Sequence, residues 1–174
     1  FKKYESGMTL SKALNTVRSA KDFFFPQTEN LAEFRLSGKT IEVKDIRKES
    51  EDFVIFGVRA CDAKSFEILD SVFLAEPVDT FYKNRREHGV VVAMACSRPT
   101  ETCFCKTFGI DPANPAGKIG DIVCYKTDTD LYLEGVSEKG KALVSKLDDV
   151  TEDTDTAKVE EQKLKENDSI VFEE

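Results

Sequence analysis

The sequence has no apolar stretch approaching the ~20 residues of a membrane-spanning helix. Its longest apolar runs, such as residues 90–96, have the length of a strand. Lys2 and Lys3 are not followed by the apolar segment of a secretion signal. No Walker A loop and no Gly-x-Gly-x-x-Gly segment marks a nucleotide-phosphate cradle. There is one histidine, His88, and no serine elbow beside a suitable strand, so a histidine-dependent triad has only this one candidate base and no elbow motif to go with it. A basic excess is missing too. The formal net charge is −8, whereas nucleic acid and anionic membrane surfaces both require a basic footprint. The expectation is a cytoplasmic protein with neither nucleic acid nor a membrane as partner.

The acidity is local. Residues 1–147 hold 22 acids and 22 bases, whereas residues 148–174 hold 11 acids and 3 lysines. The expected organisation is an α/β domain over 1–147 and an acidic tail or linker over 148–174. Hydrophobic residues at 40% and charged residues at 33% make an ordinary globular composition. The length suits one domain with a tail. The start at Phe1 and the acidic end are expected to mark a piece of a longer protein.

Leu10, Ala13, Leu14, Val17 and Ala20 recur at helical spacing and predict a helix over 8–24, capped by Thr9 or Ser11. A hairpin is predicted over 30–43 around Ser37-Gly38-Lys39. Residues 53–58 form a continuous apolar run, the pattern of a strand buried on both faces, and 90–95 form a second. Between them lie helical patterns over 62–74, with Asp62 near the N-cap, and over about 79–87, ending at Gly89. Two buried strands joined by such a crossover are expected to be parallel neighbours. The predicted fold is thus α/β: a mixed sheet with a parallel strand pair (about 53–58 and 90–95) joined by a helical crossover, plus hairpins. Beyond it, 97–120 reads as an irregular loop, 121–127 and 130–136 as strands, 138–147 as a helix, and 151–167 as a polar helix with few apolar residues to hold it.

Parallel strands end at the same edge of a sheet, and sites in open α/β sheets form beyond that edge. Cys61 lies just past the carboxyl end of the first strand and Cys96 at that of the second, so topology brings the two thiols together. Cys103 and Cys105 follow in the same loop. Four thiols around a point suit zinc or an iron–sulfur cluster. The spacing is neither paired C-x2-C nor the ferredoxin run C-x2-C-x2-C-x3-C-P. A redox thiol pair and plain buried small side chains are the other readings. A helix start at Asp62, together with Arg59 and Lys64, is expected to lower the thiol pKa values. Arg59 and Lys64 are therefore the candidate cofactor-contacting charges, Cys61, Cys96, Cys103 and Cys105 the candidate metal ligands.

Cys124 reads as core. His88 reads as a surface residue at a helix end, with a zinc ligand as the alternative. Arg85 and Arg86 read as a salt-bridged face with Glu87, with an anion or acidic partner as the alternative. Asp70, Asp79 and Asp121 receive no role from sequence.

Several segments together resemble a known family. Gly57-Val58-Arg59-Ala60-Cys61-Asp62-Ala63-Lys64 is followed by Ile68-Leu69-Asp70, Asp79, Tyr82 and Arg85-Arg86-Glu87. Cys96, Pro99 and Thr102-Cys103-Phe104-Cys105 come next, then Asp130-Leu131-Tyr132-Leu133-Glu134 and Ser137-Glu138-Lys139-Gly140. Over roughly 53–147 this is similar to the N-terminal region of the 4Fe-4S dicluster-domain family, which includes sulfhydrogenase beta subunits and the A subunit of anaerobic sulfite reductase. The resemblance implies an electron-transfer subunit of an anaerobic oxidoreductase complex, itself non-catalytic. Its partners would be a flavin- or nicotinamide-using subunit and a hydrogenase or sulfite reductase subunit. Family members normally carry a ferredoxin-like domain with two [4Fe-4S] clusters after this region, and that cysteine run does not occur here. A further [4Fe-4S] cluster on Cys61, Cys96, Cys103 and Cys105 is the leading expectation. A structural zinc site or a metal-free scaffold domain are the alternatives.

Overall fold

The computed structural model describes residues 3–11, 13, 16–46, 51–115 and 120–170. Ten regular elements run through it: β1 (Ala32–Ser37), β2 (Thr40–Asp45), β3 (Phe53–Arg59), α1 (Ala60–Phe73), α2 (Thr80–His88), β4 (Gly89–Met94), β5 (Ile122–Lys126), β6 (Leu131–Gly135), α3 (Glu138–Val144) and α4 (Thr156–Ser169). Strands β1 and β2 form a separate antiparallel hairpin. The main sheet has the order β3-β4-β5-β6.

The two continuous apolar runs are β3 and β4, and they pair in parallel as the crossover length requires. Strand β5 is parallel to β4 as well, and β6 returns antiparallel. The predicted α/β mixed sheet is therefore present, with one more parallel neighbour than the pattern of strands foretold. The β4–β5 crossover is the cysteine-bearing loop itself. It contains a 3-10 turn over Cys105–Phe108; residues 116–119 of the predicted loop lie outside the described residues.

Both faces of the sheet are covered, which explains the unbroken hydrophobicity of its central strands. Ile55, Val58 and Val91 meet Ala63 and Phe66 of α1 and Tyr82 of α2 on one face. Val92, Met94, Ile122 and Cys124 meet Leu143 and Val144 of α3 on the other. Cys124 is fully buried, as its mid-strand position predicted.

The three acids without a role in sequence organise this body. Asp79 caps α2 by accepting from the Phe81 and Tyr82 N–H groups. Asp70 accepts two bonds from the Arg86 guanidinium, at 2.8 Å each, and one from the Tyr82 hydroxyl at 2.6 Å. Buried Asp121 accepts from the Val91 N–H at 2.9 Å and from the Ser137 hydroxyl at 2.6 Å, which locks the entry of α3 to β4.

Three expectations are corrected. Among the described residues, the span predicted as a helix over 8–24 holds one 3-10 turn, Ala20–Phe23, capped by Ser19 rather than Thr9 or Ser11. Leu10, Ala13 and Val17 are exposed, so these positions bury no apolar face that would hold a helix together. The Ser11 hydroxyl accepts from the Ala13 N–H, and the Thr16 hydroxyl donates to the Arg18 carbonyl, local bonds that compete with helix formation. Leu14 of that pattern, like Lys2, lies outside the described residues. The basic pair at the end of α2 is salt-bridged, but not to Glu87: Arg85 pairs with Glu29 at 2.5 Å and Arg86 with Asp70. Glu87 faces Lys83, at 3.8 Å. Finally, Asp62 sits in the first turn of α1, whose N-cap is Arg59; its carboxylate accepts from the Ser19 hydroxyl at 2.8 Å. His88 ends α2 as predicted and has its Nδ1 2.7 Å from Asp52.

Candidate functional site

The site begins with a bulge. The β3–β4 register shifts between Phe56 and Val58, leaving Gly57 as the extra residue with φ +86°. A bulge re-aims the residues that follow it. Here it sets Arg59 opposite Met94, so that the last residue of β3 stands beside the exit of β4. The Arg59 guanidinium donates to the Ala95 carbonyl at 3.0 Å, one residue before Cys96.

Three segments deliver the thiols to this edge. Cys61 lies in the first turn of α1. Cys96 follows β4 and is held by its own N–H, which donates to the Pro112 carbonyl at 2.8 Å. Cys103 closes a tight turn: its N–H donates to the Thr100 carbonyl at 2.9 Å, and the Thr100 N–H donates to its sulfur at 3.2 Å. Cys105 starts the 3-10 turn and packs with Ala60, Cys61 and Ile110. All four cysteines line one cavity of about 20 Å³ with Arg59, Arg98 and, from the far end of the chain, Ile170. None of the five cysteines is in a disulfide.

The chain is 33% identical over 142 residues to Sulfhydrogenase 2 subunit beta of Pyrococcus furiosus, a match covering 79% of this chain and 40% of that protein. The two sequences are related. The chain spans less than half the length of this relative. No protein-family model matches the chain, and no solved structure matches it. The relative supports a link to the sulfhydrogenase beta subunits named in the sequence resemblance; the 4Fe-4S dicluster domain itself is not among the matches.

The electrostatics run against one sequence expectation. Helix dipole and nearby cations were expected to lower the thiol pKa values. Instead burial dominates, and the thiols of Cys61, Cys96 and Cys105 are all pushed up, Cys105 to about 11. At Cys61 the neighbouring Asp62 charge adds to burial, while backbone N–H groups pull the other way. At Cys96 burial outweighs the Arg59 guanidinium. At Cys105 the other three thiols of the cavity add to burial, each disfavouring a further negative charge.

Arg59 is thus at the site, beside Cys96. Lys64 is not among the residues lining the cavity, and its ammonium pairs with Glu67 at 2.5 Å on α1. Glu166 and Ile170 are additions that sequence reasoning missed. The Glu166 carboxyl is buried and accepts from the Gln162 amide at 2.7 Å. Their signal was a spacing: Val159, Lys163, Glu166 and Ile170 recur at helical intervals, yet two are charged, so the stripe does not register as apolar.

The donor chemistry fits a soft metal centre: four sulfurs, no disulfide, and no competing histidine. The volume fits less. About 20 Å³ exceeds what one water needs, roughly 10–15 Å³. Among the described residues no three Cys, His, Asp or Glu side chains form a group spaced to hold a metal ion. The four thiols share a cavity without enclosing a coordination centre. No helix among the described residues is long and apolar enough to cross a membrane.

Proposed function

We propose that this chain is an electron-transfer module of an oxidoreductase complex, with Cys61, Cys96, Cys103 and Cys105 as ligands to a [4Fe-4S] cluster. The observation that carries this reading is the convergence of four unbridged thiols, from three separate segments, on one cavity at the carboxyl edge of a parallel strand pair. The relationship to a protein named as a sulfhydrogenase subunit supports a redox complex as the setting. Its partners would be a flavin- or nicotinamide-using subunit and a hydrogenase or sulfite reductase subunit. A bound cluster would relay single electrons between them.

The chain's own residues do the holding. Cys61 is fixed by the first turn of α1, Cys96 by its backbone bond to Pro112, and Cys103 by the Thr100 turn. Arg59, tied to Ala95, keeps a positive charge beside Cys96 and favours the more negative, reduced state. Lys64 would contribute only from its pair with Glu67. The small cavity favours a second reading, a single zinc ion held tetrahedrally by the same four sulfurs.

Anaerobic reconstitution with iron and sulfide, followed by metal and sulfide analysis and an EPR spectrum, tests both. About four irons per chain are expected for one such cluster, and none in Cys103→Ser. One zinc and no iron selects the zinc reading. A folded, metal-free protein in which Cys61, Cys96, Cys103 and Cys105 all titrate as free thiols rejects both and leaves a scaffold domain.

A further inference from the structure

We propose that α4, carried by the acidic C-terminal segment, and Ile170 directly after it are the outer wall of the cysteine site and shield the four thiols from solvent. The inference rests on the cysteine cavity described above and extends it to a part of the chain that composition alone presented as a tail.

Four positions at helical spacing make the contact. Val159 packs on the cluster of Ala95, Val123 and Tyr125, and Ala95 directly precedes Cys96. Lys163 pairs with Glu134 of β6 at 3.1 Å, and its ammonium lies 5.6 Å from the centre of the Tyr125 ring. Glu166 is 6% exposed although it lies in a strongly acidic segment. Ile170 lines the cavity beside all four cysteines. The outward positions between these are polar or exposed: Glu160, Glu161, Leu164 and Lys165. A helix with so little apolar content does not hold itself in water at this length, so its docking rests on this stripe.

The test is thiol protection in the full chain, metal-free, by timed iodoacetamide labelling read per cysteine by mass spectrometry. Val159→Asp undocks the helix from the Ala95 cluster. The expected result is labelling of Cys61, Cys96, Cys103 and Cys105 accelerated about tenfold or more, the factor that about 1.4 kcal/mol of lost docking supplies. Cys124, buried in β5 away from the cavity, stays unreactive and reports an intact fold. Unchanged rates at all four cysteines, with Cys124 protected, overturn the proposal. If Cys124 also labels, Val159→Asp has opened the core, and Lys163→Ala decides by the same criterion. Protection is measured without metal, so a protein that shields its thiols yet takes up no iron or zinc rejects the metal reading and leaves the wall standing.

Discussion

Arg59 and Ala95 are 36 positions apart in the chain, and the guanidinium of one donates to the carbonyl of the other at 3.0 Å. The bond ties the carboxyl ends of two parallel strands together where Cys61 and Cys96 leave them. It joins fold and site in one contact, and its removal should be felt in both.

Arg59→Met is expected to destabilise the protein by about 1.5–3 kcal/mol, the range for a hydrogen bond from a charged group. Urea unfolding measures it. The guanidinium also favours the Cys96 thiolate against burial, so the alkylation profile of Cys96 should move to higher pH in Arg59→Met. Arg59→Lys keeps a charge but loses the planar fork, and should restore the pH profile better than the stability.

Metal uptake should rise with pH. Burial and the crowding of like charges hold Cys61, Cys96 and Cys105 above the ordinary thiol range, while a metal takes thiolates. Zinc or cobalt titrations at pH 7 and pH 9 are expected to show tighter binding at the higher pH and proton release on binding. A pH-independent affinity contradicts the four-thiol ligand set.

Asp70→Asn is expected to cost about 2–3 kcal/mol at neutral pH, as it weakens charge-assisted bonds to Arg86 and Tyr82. The Asp70 carboxyl is pushed up by burial but pulled further down by Arg86 and Tyr82, so it titrates below the usual aspartate range. Its contribution is therefore complete above the ordinary aspartate value of about 3.9 and lost as pH falls from there through the folded value. Wild type and Asp70→Asn should converge in stability at acid pH in chemical unfolding experiments.

Two glycines are predicted to resist substitution for different reasons. At Gly57 an added Cβ has room, its nearest contact being the Met94 methyl at 4.0 Å, but φ is +86°. Gly57→Ala should cost about 1–2 kcal/mol of backbone strain and loosen the bulge that sets Arg59. At Gly140 an added Cβ overlaps the Asp121 carbonyl oxygen, which cannot yield because Asp121 joins β4 to α3. Gly140→Ala should cost about 3 kcal/mol or more through overpacking. Thermal unfolding of both variants, with thiol labelling of Cys96, separates a site effect at Gly57 from a purely structural one at Gly140.

The sequence by itself determined the parts of this protein governed by local pattern. Unbroken apolar runs at 53–58 and 90–95 specify strands buried on both faces, and the helical crossover between them makes the pair parallel. From that topology alone, Cys61 and Cys96 had to leave the sheet at one edge, and Cys103 and Cys105 lay within reach. Helical spacing at 8–24 misled, because periodicity states which face is apolar and not whether anything covers it. Tertiary structure decided the rest. It set Arg59 at the site, because a one-residue bulge at Gly57 redirects the strand end. It raised the thiols that dipole and charge were expected to lower, because desolvation in a small cavity outweighs both. It also brought Ile170 from the acidic segment to the cysteines and buried Glu166. Burial of a charged side chain is a property of what surrounds it in space, and a helical spacing that carries charges does not mark its stripe as buried.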